Sequence, residues 1–378
     1  MLLFVNSAVA RPKSITLYDA TAAEITQPSG TLIRYARTPL PLLYRAKAWK
    51  ILYATRDYAG RPIASTGYVV LPDSAPSNKN RRHFVSWAHP TIGVSRQCAP
   101  TLRQTPVRAI LGLNELVAMG HIVTATDYPG LGTVGPVGYL VGKGQAQAVI
   151  DSVRAAKQIP GVGGGDDYVL WGYSQGGHAA LYASLISDDY APELNLKGVA
   201  AVAPPTNLAA LMLANSGSLA GNVLSSFTLG SWSVKYQVPL ATLVKSNTIK
   251  TITAINANCI DKFEGEVDIF KAQSKLGNDF LPKRSLSIQP WRNIIATNSI
   301  SGLSTRVPAL ILQGGIDAVV KPQVTRTFVR NSCRNGAVVS YVELQGLGHG
   351  KAAAAGVIPA TNWLNARLNG KPSPSSCK

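Results

Sequence analysis

Charged side chains and cysteines are both scarce in this chain. Only 15% of its 378 residues are charged, whereas 46% are hydrophobic, and there are four cysteines. This balance is typical of a globular protein with a large core, built as one large domain with an insertion or as two domains. No apolar run approaches the length of a transmembrane helix. C-x-x-C and H-E-x-x-H motifs are absent, so the sequence predicts no metal and no cofactor.

Acidic residues are about half as frequent as basic ones. Aspartate and glutamate number 19, against 37 lysines and arginines, which gives a formal net charge of +18. Nucleic acid, an anionic membrane surface or an acidic wall could each attract such a protein. The basic residues are scattered, however, and no basic stripe interleaved with aromatic residues occurs. A solvated basic surface is therefore favoured over a specific nucleic-acid site.

The four cysteines, Cys98, Cys259, Cys333 and Cys377, lie far apart. Four cysteines can form two disulfides in three different pairings. Cys377 is the penultimate residue, and tethering a tail is a common task of a disulfide. We therefore favour Cys333–Cys377, which leaves Cys98–Cys259. Four reduced, buried thiols in a cytosolic protein are the alternative.

The first ten residues look like the end of a signal peptide. Apolar residues 2–5 precede Ala8-Val9-Ala10, which fits an A-x-A cleavage site before Arg11. The segment lacks a positively charged start and is too short to be a complete signal peptide. Residues 1–10 are interpreted as a truncated signal segment, with an accidental resemblance as the alternative. The first interpretation favours a secreted or periplasmic protein.

Residues 167–177 read Asp-Tyr-Val-Leu-Trp-Gly-Tyr-Ser-Gln-Gly-Gly. The apolar run 168–171 is typical of a buried strand, and residues 178–186, rich in alanine and leucine, are typical of a helix. The residues between them fit G-x-S-x-G, in which a strained turn from strand to helix exposes a serine hydroxyl. This context favours Ser174 as a nucleophile over a chance match in a chain with 34 glycines.

Strand and helix patterns alternate along most of the chain. The alternation predicts an α/β fold, with a mostly parallel central sheet covered by helices on both faces. An antiparallel hairpin over residues 49–55 and 63–71 is expected at the sheet edge. Residues 14–46 are expected to wrap the outside of the core.

Residues 206–303 interrupt the alternation with apolar helical stretches. The segment is too long for a crossover between strands and too structured for a linker. We expect a helical cap over an apolar pocket there, with the core in residues 11–205 and 304–378. A separate partner-binding subdomain is the alternative.

The loop after a predicted strand at residues 83–87 contains His89, Pro90 and Thr91. In a parallel sheet such a loop lies near the serine, where acyl-transfer enzymes hold an oxyanion with two backbone amides. Pro90 has no N–H, so we predict that the amides of Thr91 and Gln175 form the oxyanion hole. His89 is interpreted as a residue that orients the loop.

Gly130, Gly132 and Gly135 match G-x-G-x-x-G after a predicted strand. Pro129 and Pro136 flank these glycines, so no helix can begin inside the motif to receive a pyrophosphate. The sequence therefore predicts a loop near the mouth of the site and not a dinucleotide site.

Asp317 and His349 each follow a late predicted strand. The carboxyl ends of parallel strands share one edge of the sheet, so both side chains are expected near Ser174. The order Ser, Asp, His is that of the α/β-hydrolases. It predicts His349 as the general base and Asp317 as the carboxylate that orients its imidazole. Asp127 also ends a strand and is the rival acid, but its strand precedes the serine.

With these motifs the chain resembles the secretory lipases of fungi and bacteria, a capped branch of the α/β-hydrolases. The matching stretches are residues 89–93, Cys98-Ala99-Pro100, residues 127–132 and 172–177, and Asp317 with its following helix. The resemblance implies that Ser174, Asp317 and His349 are the catalytic triad and that residues 206–303 are a lid. It implies an acyl ester, often a lipid, as the substrate, and it agrees with two disulfides.

The sequence as a whole predicts a secreted serine ester hydrolase, a lipase or esterase that cleaves acyl esters such as triacylglycerols through an acyl-enzyme. A peptidase or acyltransferase of the same fold is one alternative, and non-enzymatic binding to an anionic surface is another. The expected partners are an ester or lipid substrate and a lipid–water interface, with no specific nucleic acid. The oligomeric state is left open.

Overall fold

The computed structural model of the protein describes residues 16–377, except for residues 75–81, 104–106, 108–109, 261–262, 277–279 and 282–285. The predicted signal segment, residues 1–10, lies outside the described residues. Within the described ranges, no helix is long and apolar enough to cross a membrane.

A central sheet organises the molecule. Across the described residues its strands are β1 (Leu32–Thr38), β2 (Ala46–Arg56), β3 (Pro62–Pro72), β4 (Phe84–Ala88), β5 (Ile122–Thr126), β6 (Asp167–Tyr173), β7 (Asn195–Val202), β8 (Ala309–Gly314) and β9 (Val339–Leu344). They are arranged in the order β1-β2-β3-β5-β4-β6-β7-β8-β9. Strands β4 to β9 pair with one another in parallel, whereas β1, β2 and β3 are antiparallel. The predicted mostly parallel sheet is confirmed.

Helices cover both faces of this sheet. The described α-helices are α1 (Ala22–Ile25), α2 (Leu113–Ala118), α3 (Gly142–Lys157), α4 (Gln175–Tyr190), α5 (Leu208–Ala214), α6 (Leu219–Lys235), α7 (Ser246–Asn256), α8 (Phe263–Gln273), α9 (Trp291–Asn298), α10 (Pro322–Arg334) and α11 (His349–Leu368). Val149 of α3, Ala180 of α4 and Phe328 of α10 belong to one buried apolar cluster. Leu116 of α2 and Leu364 of α11 belong to a second cluster on the other face. Because both faces are covered, β4 and β5 are buried along their whole length.

Two elements differ from the sequence-based predictions. Residues 32–38 were expected to wrap the core but form β1, an edge strand, so the hairpin of β2 and β3 lies inside the sheet and not at its edge. Because β1 is only half-buried or exposed, its apolar alternation is too weak to reveal it. The sequence pattern predicts a closing helix only over residues 360–368, because a proline at position 359 normally marks a helix start or break. In the structure α11 begins at His349 and carries Pro359 in its interior.

The segment between β7 and β8 contains α5 to α9, and most residues of a third buried apolar cluster lie in it. Tyr139, Leu140 and Val141, from the stretch before α3, belong to the same cluster. Phe227, Trp232 and Trp291 are fully buried in this cluster. At the base of the segment, the amide of Ile300 donates a hydrogen bond to the carbonyl of Thr206 at 2.7 Å. The segment therefore packs around a largely internal apolar cluster, to which the core contributes residues 139–141, while its two connections to the sheet lie side by side.

Two disulfides fasten distant parts of the chain. Cys98–Cys259 joins the loop after β4 to the turn after α7. Cys333–Cys377 joins α10 to the C-terminal tail. These are the two pairs that the position of the tail cysteine favours. The first one attaches the segment between β7 and β8 to the loop after β4, in addition to the contact at its base.

We expect the loss of Cys98–Cys259 to destabilise the protein more than the loss of Cys333–Cys377. The sequence separations are 161 and 44 residues, and a disulfide restricts the unfolded chain more when it closes a longer loop. The chain-entropy relation gives about 5 and about 4 kcal/mol, a difference of about 1 kcal/mol. Urea unfolding of the two Cys→Ser double variants beside the oxidised wild type measures both losses. An equal or smaller loss for the Cys98–Cys259 pair would contradict the expectation.

Candidate active site

Ser174 lies at the sharp turn between β6 and α4. Its backbone has φ +54° and ψ −120°, a conformation that a residue with a side chain rarely adopts and that costs about 1–3 kcal/mol. A Cβ on Gly176 would lie 1.8 Å from the carbonyl oxygen of Ala88 at the end of β4, and one on Gly172 would lie 2.2 Å from the carbonyl oxygen of Gly176. The turn therefore requires both glycines, and it presents the Ser174 hydroxyl at the C-terminal edge of the parallel strands.

His349 bridges Ser174 and Asp317. Its Nε2 is 3.0 Å from the Oγ of Ser174, and its Nδ1 is 2.7 Å from the Oδ2 of Asp317. The carboxylate is fully buried, whereas the imidazole retains 17% exposure and stays accessible from the groove above it. Of the three side chains that the sequence singled out, His349 thus lies within hydrogen-bonding distance of both Ser174 and Asp317. A hydroxyl bonded to an imidazole that is itself held by a carboxylate is an arrangement that activates a serine as a nucleophile.

Asp317 is oriented by neighbours that the sequence analysis did not identify. The amides of Val319 and Val320 donate to its Oδ1 at 2.8 and 2.9 Å, and Nε2 of Gln313 donates to its Oδ2 at 3.2 Å. An aspartate that bonds to amides two or three residues ahead is a common turn pattern, so the two amides were foreseeable. Gln313 was not, because its role depends on the direction of a side chain inside the core.

The loop after β4 lies beside the turn at the serine. The amides of Thr91 and Gln175 donate to no acceptor among the described residues. The Thr91 hydroxyl is 2.8 Å from the hydroxyl of Tyr139, a contact that the sequence did not reveal. On the other side, the amide of Ile260 donates to the carbonyl of Ile92 at 3.1 Å. The loop is therefore held from two directions.

An apolar groove of about 840 Å³ opens at Ser174 and His349, and Thr91 lies in its wall. Helices α6 and α8 supply the opposite wall, with Val223 on α6 and Phe270 on α8. Phe270 is 60% exposed. A space of this size with few polar groups can hold a large apolar molecule against the Ser–His pair.

Asp127, the rival acid, belongs to a different hydrogen-bond network. Its carboxylate accepts bonds from the Thr66 hydroxyl at 2.7 Å, from the Thr101 amide at 3.2 Å and from the Thr101 hydroxyl. Burial raises the pKa of Asp127 to about 6, although the hydrogen bonds from the two threonines act in the opposite direction. Since both ring nitrogens of His349 are engaged elsewhere, Asp127 is not its partner.

His89 and His178 connect backbone segments around the site. The His89 ring has Nδ1 at 2.7 Å from the carbonyl of Pro90 and Nε2 at 3.1 Å from the carbonyl of Asp127, so it orients the loop after β4. His178 lies on α4, with Nε2 at 2.7 Å from the carbonyl of Asn298. Burial lowers the pKa of His178 to about 4. It is therefore neutral at physiological pH and links α4 to the segment between β7 and β8.

Gly130, Gly132 and Gly135 lie in the loop between β5 and α3. Helix α3 begins only at Gly142, so no helix N-terminus lies within the G-x-G-x-x-G motif. The motif therefore lacks the phosphate-binding geometry of a dinucleotide site.

Comparison with known families and proteins shows that the chain is similar to lipases. The family model described as secretory lipase matches residues 104–376. Lipase 4 of Candida albicans is 26% identical over 97% of this chain and 84% of its own length. A secreted triacylglycerol lipase of Malassezia globosa is 24% identical over 100% of this chain and 86% of its own length.

Solved structures agree on the fold. Candida antarctica lipase A in its closed state aligns with a TM-score of 0.81 over 96% of this chain and 88% of that chain, at 18% identity. The rice cell wall degrading esterase from Xanthomonas oryzae aligns with a TM-score of 0.73 over 91% of this chain and 98% of that chain, at 19% identity. These likenesses confirm the predicted α/β-hydrolase fold.

We expect the buried carboxylate of Asp127 to make stability depend on pH. Its pKa is raised from 3.8 to about 6, so the folded state binds the proton more tightly than the unfolded state. The resulting stabilisation is complete below the unfolded pKa and is lost as the pH rises through the folded pKa. At about 1.4 kcal/mol for each pKa unit, the loss is about 3 kcal/mol.

Urea unfolding of wild type and Asp127→Asn at several pH values measures this effect. The stability of wild type relative to the variant should fall by about 2 kcal/mol between pH 4 and pH 7, which is most of the full effect. A difference that stays constant, or that grows as the pH rises, would show that Asp127 does not titrate in this way.

Proposed function

The chain belongs to the secretory lipase family and is an extracytoplasmic carboxylic ester hydrolase, and we propose that it works through a catalytic triad of Ser174, His349 and Asp317. The observation that carries the proposal is the position of the His349 imidazole, 3.0 Å from the Ser174 hydroxyl and 2.7 Å from the Asp317 carboxylate. The apolar groove at this pair supports acyl esters as substrates. The name of the Malassezia relative supports triacylglycerols among them.

The first half of the reaction forms an acyl-enzyme. The Nε2 of His349 takes the proton of Ser174 while Oγ bonds to the ester carbonyl carbon. The amides of Thr91 and Gln175 stabilise the negative oxygen of the tetrahedral intermediate, an effect of about 3 kcal/mol for each donor in comparable enzymes. The bond from carbon to the alcohol oxygen then breaks, and His349 returns the proton to that oxygen.

The second half releases the acid. A water molecule loses a proton to His349 and attacks the acyl carbon, and the bond from carbon to the Oγ of Ser174 breaks as His349 returns the proton to Oγ. Asp317 stays ionised throughout, fixes the tautomer of the imidazole and stabilises the imidazolium. Its two backbone hydrogen bonds suit this role, because they stabilise the charged carboxylate.

Residues 206–303 form the cap of this enzyme in our proposal, and residues 11–205 and 304–378 form its core. The third apolar cluster, which consists mostly of residues from α5 to α9, supports a cap that packs largely on itself. The apolar wall that α6 and α8 contribute to the groove supports a cover for an apolar substrate. A lipid–water interface is the surface on which such a groove would meet a triacylglycerol.

Ser174→Ala should abolish ester hydrolysis. Without the nucleophile, kcat for a p-nitrophenyl ester is expected to fall by at least about 10⁴-fold, since only binding and oxyanion stabilisation remain. A fluorophosphonate probe should label wild type at a single peptide that contains Ser174 and should not label the variant. Turnover within tenfold of wild type in the variant would rule out Ser174 as the nucleophile.

Asp317→Asn and Asp127→Asn form a matched pair that separates the proposed triad acid from its rival. Both carboxylates are buried and follow a strand, but only Asp317 bonds to His349. We expect Asp317→Asn to lower kcat by about 10⁴-fold, because the amide favours the wrong imidazole tautomer. Asp127→Asn should lower kcat less than about tenfold when circular dichroism shows that it is folded. A larger loss in Asp127→Asn than in Asp317→Asn would reverse the assignment.

A further inference from the structure

Two apolar spaces of very different size meet at Ser174. We propose that they divide the substrate unequally: a short acyl group occupies the small one, and a large apolar alcohol group occupies the large one. This inference rests on the proposed triad. It assigns the substrate class as short-acyl esters of bulky apolar alcohols and not long-chain acyl esters of small alcohols.

The small space is a cavity of about 50 Å³ between the sheet and the segment between β7 and β8. Ser174 lines it together with Leu208, Leu211 and Met212 of α5 and Leu224 of α6. At about 10–15 Å³ for each water-sized sphere, it holds about four such spheres. A butyryl group or a shorter one therefore fits, and a longer chain must displace packed side chains.

The large space is the groove of about 840 Å³ that His349 and Thr91 also line. It is more than ten times larger than the cavity, and Phe270 in its wall is 60% exposed. A long or branched apolar group can occupy this groove without moving the core.

The proton path decides which part of the ester enters which space. The alcohol oxygen must receive the proton that His349 took from Ser174, so the alcohol must lie on the side of His349. His349 lines the groove, and it is not among the described residues that line the cavity. The oxyanion loop with Thr91 also belongs to the groove side. The acyl chain must therefore occupy the small cavity.

Polar groups in the cavity wall further disfavour a long hydrocarbon chain. Asn215 is buried, and its Nδ2 donates to the carbonyl of Val319 at 2.6 Å. Its Oδ1 is buried with no hydrogen-bond partner among the described residues. The hydroxyl-bearing residues Ser225 and Thr228 line the same cavity. An acyl chain that fills the cavity would bury the Asn215 oxygen against hydrocarbon without a hydrogen bond, which costs free energy. A short acyl group leaves room for a water molecule that can donate to this oxygen.

A pair of isomeric esters tests the assignment directly. Octyl butanoate and butyl octanoate have the same atoms, and they differ only in whether the long chain is on the alcohol or on the acid. With both kept below the concentration at which they aggregate, pH-stat titration of the released acid gives kcat/KM for each. We expect octyl butanoate to be hydrolysed at least about tenfold more efficiently. The octanoyl chain would overpack the small cavity, and overpacking of a tight pocket has an effect of about this size.

Two matched cap variants identify the cavity that sets the preference. Met212 lines only the small cavity and Val223 lines only the groove, and both are almost equally buried, at 8% and 7% exposure. Met212→Ala should raise the relative efficiency on butyl octanoate by at least about fivefold, because it lengthens the cavity. Val223→Ala should change the ratio by less than about twofold. If Met212→Ala fails to fold, Thr228→Ala removes less volume from the same wall and should shift the ratio in the same direction.

The outcomes separate this inference from the proposed function. Equal efficiency on the two isomers, or a preference for butyl octanoate in wild type, would overturn the assignment of the two spaces while leaving the triad intact. A shift with Val223→Ala as large as that with Met212→Ala would also overturn it. Hydrolysis of neither isomer, together with no labelling of Ser174 by the fluorophosphonate probe, would overturn the proposed function and the assignment with it.

Discussion

The close approach of the Ser174 turn to the end of β4 is the constraint on which the site depends. Gly176 passes so near the Ala88 carbonyl oxygen that no side chain fits between them. This contact brings the first amides of α4 beside the loop that carries Thr91. The backbone strain at Ser174 persists because its surroundings over-determine it: its own amide donates to the carbonyl of Val202 at 2.9 Å, and α4 is largely buried.

The parallel sheet explains how the other two members of the proposed triad reach the serine. Asp317 and His349 follow β8 and β9, and the carboxyl ends of parallel strands meet at one edge. Position alone does not orient a carboxylate, however. The amides of Val319 and Val320 bind one oxygen of Asp317 and turn the other toward the imidazole. The acid is thus oriented by rigid backbone, which loses little entropy in holding the geometry.

The segment between β7 and β8 is attached to the core at two places. At its base, paired connections and the contact of His178 with Asn298 hold it against the sheet and α4. In addition, Cys98–Cys259 and the bond from the Ile260 amide to the Ile92 carbonyl attach it next to Thr91. Its packing against the core leaves a wide groove on the side of His349 and a small cavity behind Ser174. The same segment therefore covers the site and sets the room on each side of the serine.

The sequence by itself determined the α/β alternation, the Ser174 turn and the two residues that follow late strands, because each depends on a local pattern or on chain order. It missed β1, whose exposed side chains carry little alternation. Chain order also favoured Asp317 over Asp127, although both end strands, and tertiary structure then showed that Asp317 contacts His349 while Asp127 belongs to a separate network. Tertiary structure alone decided the contacts of Gln313 and Tyr139 and the unequal sizes of the two spaces. These features depend on how side chains from elements far apart in the chain pack together. A pattern of neighbouring residues carries no information about such packing.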